Sequence, residues 1–165
     1  MLEYDKLNKP KKTYDRKTAK LKAADFCAYQ ERSQQQVRDK LYDYGLHQDE
    51  VEEILSELIS EGFINEERFA KAFIGGKFRM KKWGRQKIVQ SIRPHRISEY
   101  CLRKGMEEID PDEYWKVLLE HTEKKYNQLK GHSTYIVKGK LTQHLYTKGF
   151  ESDLIKEAVD LIVKD

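Results

Sequence analysis

Apolar residues recur along Ser33–Phe78 at the spacing of successive helical turns. Val37, Leu41 and Tyr44 form an i, i+4, i+7 stripe behind Ser33, and Gln36 stands three residues after that serine. Ser-x-x-Gln predicts a capping box, in which two side chains satisfy the orphan amides of a first turn. Gly45 then predicts a stop, because glycine takes a left-handed C-terminal conformation at little cost. Val51, Ile54, Leu55 and Leu58 form a second stripe that ends at Gly62. A third helix is expected from Asn65 as N-cap, with Ile64 stapled onto Phe69 and a stripe of Phe69, Ala72, Phe73 and Met80. Short amphipathic helices joined by brief glycine turns cannot bury a face alone, so a bundle follows.

The same spacing returns near the end of the chain. Leu141, Leu145, Gly149, Phe150, Ile155, Ala158 and Val159 repeat, at one constant offset, Val37, Leu41, Gly45, Leu46, Val51, Ile54 and Leu55. A middle copy runs through Ile88, Ile92 and Ile97 to Leu102, Met106 and Ile109, with Arg96 where the other copies have glycine. That exchange predicts a different turn. Asp110-Pro111-x-Glu113 combines N-cap, N1 proline and N3 glutamate, and opens a helix through Tyr114, Val117, Leu118, His121 and Lys125 towards Gly131. Tyr126 to Tyr135 reads as a linker. The expected fold is all-α, an elongated tandem array of three-helix, helix-turn-helix-like repeats with the last one incomplete. Its segments are a basic flexible arm over 1–22, an N-terminal helix and first repeat over 23–82, a second repeat over 83–130, and two helices over 131–165.

Composition narrows the picture. Of 165 residues, 36% are charged and 38% hydrophobic, and the mean hydropathy is −0.87, which suits a thin repeat array better than one deep core. Nine Gly and three Pro leave little room for a turn-rich β architecture. Cys27 and Cys101 stand alone, as reduced thiols of a cytoplasmic protein would. No apolar run approaches the roughly 20 residues of a membrane span, and Met1–Lys22 lacks the apolar core of a signal peptide. No membrane contact is expected.

At this point the residues resemble the RecX family, regulators of the RecA recombinase. The run RSQQQVRDKLYDYGLHQDEVEEILSELISEGFINEERFAKAFI resembles that family's first repeat, WGRQKIVQSI its second, and GKLTQHLYTKGFESDLIKEAVDLI its third. The resemblance spans Ala24 to Val163. Arg96 for glycine departs from the family pattern. The resemblance implies an extended all-α modulator, without a catalytic site of its own, that lies in the groove of the RecA–single-stranded-DNA filament; a monomer without a cofactor is expected. There it would impede filament extension, ATP turnover and strand exchange, in homologous recombination and DNA repair. Contact with single-stranded DNA would be direct or through the filament.

Net charge is only +4, but its distribution is uneven. The cations Lys77, Arg79, Lys81, Lys82, Arg85, Lys87, Arg93, Arg96, Arg103 and Lys104 occupy one stretch in which Glu99 is the sole acid. Asp49, Glu50, Glu52, Glu53, Glu57 and Glu61 crowd the preceding region without a basic residue. One reading is a pair of solvated faces that neutralise each other; the other is a binding surface for phosphates or an acidic partner. The expected filament or nucleic-acid contacts are Lys77, Arg79, Lys81, Lys82, Trp83, Arg85, Lys87, Arg93, Arg96 and Lys104. With Phe69 as the buried direction, Phe78 falls outward beside Trp83, where it would stack on bases or a partner; the other outcome is burial against the next repeat. Metal and enzyme readings find no foothold. His47, His95, His121, His132 and His144 are scattered, and no HExxH, GxxxxGK[ST], GxGxxG or GxSxG occurs. Two other functions stay open, a stand-alone nucleic-acid binder and an adaptor for an acidic protein.

Overall fold

The structure, a computed structural model, describes residues 13–164. It is all-α: among the described residues there are nine α-helices and no strand. The chain divides into two compact units, one ending at Phe69 and one beginning at Ala70.

In the first unit α1 (Arg16–Tyr29), α2 (Gln34–Asp43) and α3 (Gln48–Ser60) pack pairwise. The capping box forms as expected: Gln36 N donates to Ser33 Oγ at 3.1 Å, and Ser33 N donates to Gln36 Oε1 at 2.9 Å. Gly45 and Gly62 both take positive φ, +86° and +80°, and so end α2 and α3. Val37, Leu41, Val51, Ile54, Leu55 and Leu58 fill the core. Against them α1 presents Ala19, Ala23 and Cys27, one small residue per turn, which lets its backbone approach closely. The helix starts at Arg16 behind the N-cap Asp15, so Arg16–Lys22 are helical rather than part of an arm. The rest of the expected arm, residues 1–12, lies outside the described residues.

The acidic face of α3 finds its counter-charges on α1. Arg16 reaches Glu57 at 2.7 Å and Glu53 at 3.6 Å, while Lys20 reaches Glu57 at 2.8 Å and Glu61 at 2.7 Å. Arg38 of α2 pairs with Glu52 at 2.8 Å. The two hydrogen-bonded cations, Arg16 first, hold the Glu57 carboxyl down at about 2.

In the second unit α4 (Glu66–Gly76, whose first turn precedes the boundary) continues without a break into a π-helical turn at Lys77–Lys81. Gly75-Gly76 does not interrupt it. Ala70, Ile74 and Phe78 are buried at i, i+4, i+8, so the buried direction follows these three rather than Phe69 alone. Phe78 therefore packs inward against Tyr114, with ring centroids 5.9 Å apart. Ala72 and Met80, expected in the stripe, face solvent, Met80 with 83% of its surface exposed.

The chain goes on through α5 (Arg85–Ile92), a 3-10 turn at Arg93–His95, α6 (Glu99–Met106), α7 (Pro111–Gln128), α8 (Thr134–Thr147) and α9 (Ser152–Ile162). α7 packs on both α8 and α9. Its helix runs on to Gln128, so the expected linker contracts to the turn around Gly131. The middle turn inserts a 3-10 segment at Pro94, yet Arg96 takes φ +54°, the same left-handed region that glycine occupies in the other copies. That conformation costs a non-glycine residue about 1–2 kcal/mol.

Gly84 and Gly149 meet back to back. A Cβ on Gly84 would stand 2.2 Å from the Gly149 carbonyl carbon, and one on Gly149 would stand 2.4 Å from Lys87 Cβ. The close approach lets Gly84 N donate to Lys148 O at 2.8 Å and Gln86 N to Gly149 O at 3.0 Å. Beside it Tyr114 donates to Glu151 at 2.6 Å and accepts from Arg85 N at 3.0 Å. Burial and that donated proton push the Tyr114 phenol above its ordinary pKa.

Candidate functional site

Nine cations of the basic stretch and its tryptophan were expected to act together, and packing sorts them into three groups. The first is neutralised. The Arg85 guanidinium lies 2.9 Å from Glu151 and 3.8 Å from the centre of the Tyr114 ring, so it holds α5 to the start of α9. Lys82 pairs with Glu120 at 3.7 Å, and Lys104 with Glu107 at the same distance. Lys104 also lies 5.8 Å from the Tyr100 ring. The single acid within the sequence stretch was no guide here, because these partners come from the C-terminal cap of α6, from α7 and from the α8–α9 turn.

The second group stacks on aromatic faces. Lys77 and Lys87 approach the half-buried Trp83 ring at 5.2 Å and 4.5 Å, and Lys77 also lies 5.3 Å from Phe73. Phe73 in turn meets His95 edge-on at 5.2 Å. The result is one aromatic–cation cluster drawn from α4, the π-helical turn, α5 and the 3-10 turn. Stacking of this kind holds a lysine in place without cancelling its charge. His95 is kept below its ordinary pKa, by burial first and by Lys77 second, so it is neutral at pH 7.

The third group comprises Arg79, Lys81, Arg93 and Arg96, all exposed. The Arg79 guanidinium lies over Gly75, where a Cβ would come within 2.7 Å of it. Among the described residues no carboxylate lies within ion-pair distance of these four, nor of Lys77 and Lys87.

Lys82 shapes the cluster through its backbone. It takes φ +54°, ends the π-helical turn by donating N–H to Phe78 O at 2.9 Å, and accepts from His121 Nε2 at 2.9 Å. A carbonyl only accepts, so the His121 proton sits on Nε2. Burial keeps His121 below its ordinary pKa, with Lys148, Lys82 and Lys124 acting the same way and the hydrogen bond to Lys82 opposing them.

Sequence reasoning did not single out Phe73 and His95 as members of this cluster, nor Gln86, Gln90, Gln143 and Tyr146, which line clefts beside α5. A signal for Tyr146 existed. It follows Leu145 as Tyr42 follows Leu41, so both repeats carry an aromatic residue just off the buried stripe. Among the described residues no group of three His, Cys, Asp or Glu could hold a metal ion, and no helix is long and apolar enough to cross a membrane.

Three family models match in order. Residues 19–58 match "RecX, first three-helix domain", 65–106 match the second and 112–159 the third. These ranges take in α1–α3, α4–α6 and α7–α9 respectively. A Clostridioides difficile protein called "Regulatory protein RecX" is 23% identical over 88% of this chain and 68% of its own. One of the same name from Prosthecochloris aestuarii is 27% identical over 88% of this chain and 94% of its own. The chain spans 60% of a Clostridium perfringens relative and 50% of a Streptococcus uberis one, so several relatives are considerably longer. The crystal structure of RecX from Lactobacillus salivarius superposes with a TM-score of 0.82 over 89% of this chain and 96% of that one, at 22% identity. A second RecX crystal structure gives 0.80 over 88% and 71%, at 21% identity. At such identities the structures speak for the fold.

Proposed function

This chain belongs to the RecX family of regulatory proteins, and on that premise we propose that it binds the RecA–single-stranded-DNA filament and restrains the recombinase. Filament extension, ATP turnover and strand exchange are the activities it slows. No chemistry is required of the chain itself; its role is to occupy a surface and hold subunits or strand in one arrangement.

The observation that carries the reading is the sorting of the basic stretch. Among the described residues Lys77, Arg79, Lys81, Lys87, Arg93 and Arg96 have no carboxylate at ion-pair distance, whereas Glu52, Glu53, Glu57 and Glu61 of the other crowded face are paired internally. Like charges left this close together raise the local potential, and a phosphate backbone or acidic protein surface lowers it again. Trp83 keeps two of the lysines oriented. Arg85 drops out of the contact set, because its guanidinium is engaged by Glu151 and Tyr114.

The test is ATPase and strand exchange by the cognate recombinase with stoichiometric wild-type chain, and with a variant carrying Arg79→Glu, Lys81→Glu, Lys87→Glu and Arg93→Glu. Wild type should slow both activities. The variant should not, while its far-ultraviolet circular dichroism stays unchanged. Unaffected recombinase in the presence of the wild-type chain would sink the proposal.

A further inference from the structure

In the second unit the C-terminal ends of α7 and α9 meet the start of α8 around a small cleft. Leu129, the C-cap of α7, donates N–H to Tyr126 O at 3.0 Å, and Gly131 at φ +94° turns the chain into α8. Val163 leaves α9 in an extended conformation and brings Lys164 to the same place. The cleft measures about 300 Å³. Its floor is aliphatic, formed by the buried side chains of Leu129, Val137 and Val163. Its rim carries Lys130, His132 and Lys164, all exposed. None of the cations of the Lys77–Arg96 stretch lines it. We propose that this cleft docks an acidic peptide segment of a protein partner. The segment would insert one bulky apolar side chain between the helix ends and set its carboxylates against Lys130 and Lys164.

Charge and size select that occupant. Every charged side chain in the wall is basic, and among the described residues no carboxylate lies within ion-pair distance of Lys130 or Lys164. Two ammonium groups at one opening attract carboxylates arriving from outside, because no internal acid neutralises them. The space suits one side chain of leucine or phenylalanine size, and filling it takes apolar surface of the floor out of water. Tyr126, 38% exposed, adds a ring to the wall against which such a side chain packs. Asn127 and Thr134 supply donors for a peptide carbonyl or carboxylate. A nucleobase fits less well, since its edge donors and acceptors would face an aliphatic floor. A phosphate alone would leave that floor in contact with water.

The inference goes beyond the filament reading. It assigns the chain a second contact, directed at a protein and built from residues 126–164, that needs neither recombinase nor nucleic acid. A regulator with two separate contacts can hold one partner through the basic stretch and another through this cleft.

The test is fluorescence anisotropy of the full chain with a labelled poly-aspartate peptide carrying one central leucine. Two controls accompany it, one with glycine for the leucine and one with serine for each aspartate. Wild type should bind the first peptide, and each control about tenfold or more weakly. The Lys130→Glu, Lys164→Glu variant should lose about tenfold or more for the aspartate peptide and gain binding of a poly-lysine peptide with the same leucine. Thr134→Trp, which fills the mouth of the cleft from the exposed first turn of α8, should weaken binding of the leucine peptide alone, with far-ultraviolet circular dichroism unchanged. An aspartate–glycine peptide bound as tightly as the leucine peptide would reduce the cleft to diffuse positive charge and overturn the proposal. Unaltered binding in both variants would do the same, as would an oligothymidylate that displaces the peptide while the leucine has no effect. Self-association of the wild-type chain in sedimentation velocity, abolished by Thr134→Trp, would seat a second copy there instead and also overturn it.

Discussion

On the α1–α3 face, Glu57 receives both Arg16 and Lys20, and Glu53 and Glu61 share the same two cations. Along Lys77–Arg96, six cations lie without a carboxylate at ion-pair distance among the described residues, two of them resting on Trp83. The two stretches look alike in sequence, each a run of one sign of charge. They differ in what the fold brings to them. A helix rich in acids became an internal ion-pair face because α1 supplies a cation on successive turns, at i and i+4. The basic run was only partly met: Glu120, Glu151 and Glu107 take Lys82, Arg85 and Lys104, and no acid among the described residues reaches the rest. Charge density in a sequence is thus a candidate surface, and pairing in three dimensions decides whether it stays one.

The comparison is broken most severely by removing the scaffold beneath either region. Leu41 is fully buried under the paired face, and Leu41→Ala should cost about 2–5 kcal/mol in urea unfolding. Gly84→Ala, beneath the open region, forces a methyl group onto the Gly149 backbone and should cost about 1–3 kcal/mol. Because the second contact aligns α5 with the α8–α9 turn, it should also weaken cosedimentation with recombinase filaments.

Acid separates the two regions by pH. Glu57 titrates at about 2, below its ordinary carboxylate value near 4.5. Its contribution is complete above pH 4.5 and is lost as the pH falls through about 2. His121 is held below 6.5, chiefly by burial, so its neutral form is favoured in the fold. Stability from that group is complete above pH 6.5 and declines as the pH falls below it. Thermal melts from pH 7.5 to 5.5 should therefore fall for the wild type and fall less in His121→Gln, where His95 and His144, also held below 6.5 by burial, remain. Melts of Glu57→Gln should differ most from wild type above pH 4.5 and converge with it near pH 2.

The smallest effect sharpens the comparison. Arg96→Gly should keep stability within about 1 kcal/mol, because glycine takes φ +54° without the strain that arginine bears there. Its filament affinity should nevertheless lose about one unit of salt slope. Reversing a cation of the paired face, Lys20→Glu, should leave that slope unchanged.

Much of the fold was legible in residue spacing. The Ser33–Gln36 box, the glycine stops and the matching stripes at Leu41 and Leu145 are local signals, and local hydrogen bonding and burial realise them. The helix α1 was harder to see, because its buried stripe is Ala19, Ala23 and Cys27 rather than large aliphatics. The sequence grouping opens its first full repeat at Ser33, whereas the family's three-helix domain opens one helix earlier. Phe78 illustrates a different gap. An angular count from Phe69 assumed one buried face, while α4 is buried along Ala70 and Ile74 as well. Of the candidate site, the basic run and Trp83 were legible as residue types. Which cations are spent on Glu120, Glu151 and Glu107 was not, since those partners lie 3 to 66 positions away along the chain.

The central claim is that the unpaired cations near Trp83 grip a recombinase filament. Cosedimentation of the chain with recombinase–single-stranded-DNA filaments, at two salt concentrations, tests it most directly. The wild-type chain should pellet with filaments at low salt and shift towards the supernatant at high salt. The Arg79→Glu, Lys81→Glu, Lys87→Glu, Arg93→Glu variant should stay in the supernatant at both. A variant that pellets as the wild type does would show that the open cations are solvated surface, and would contradict the account.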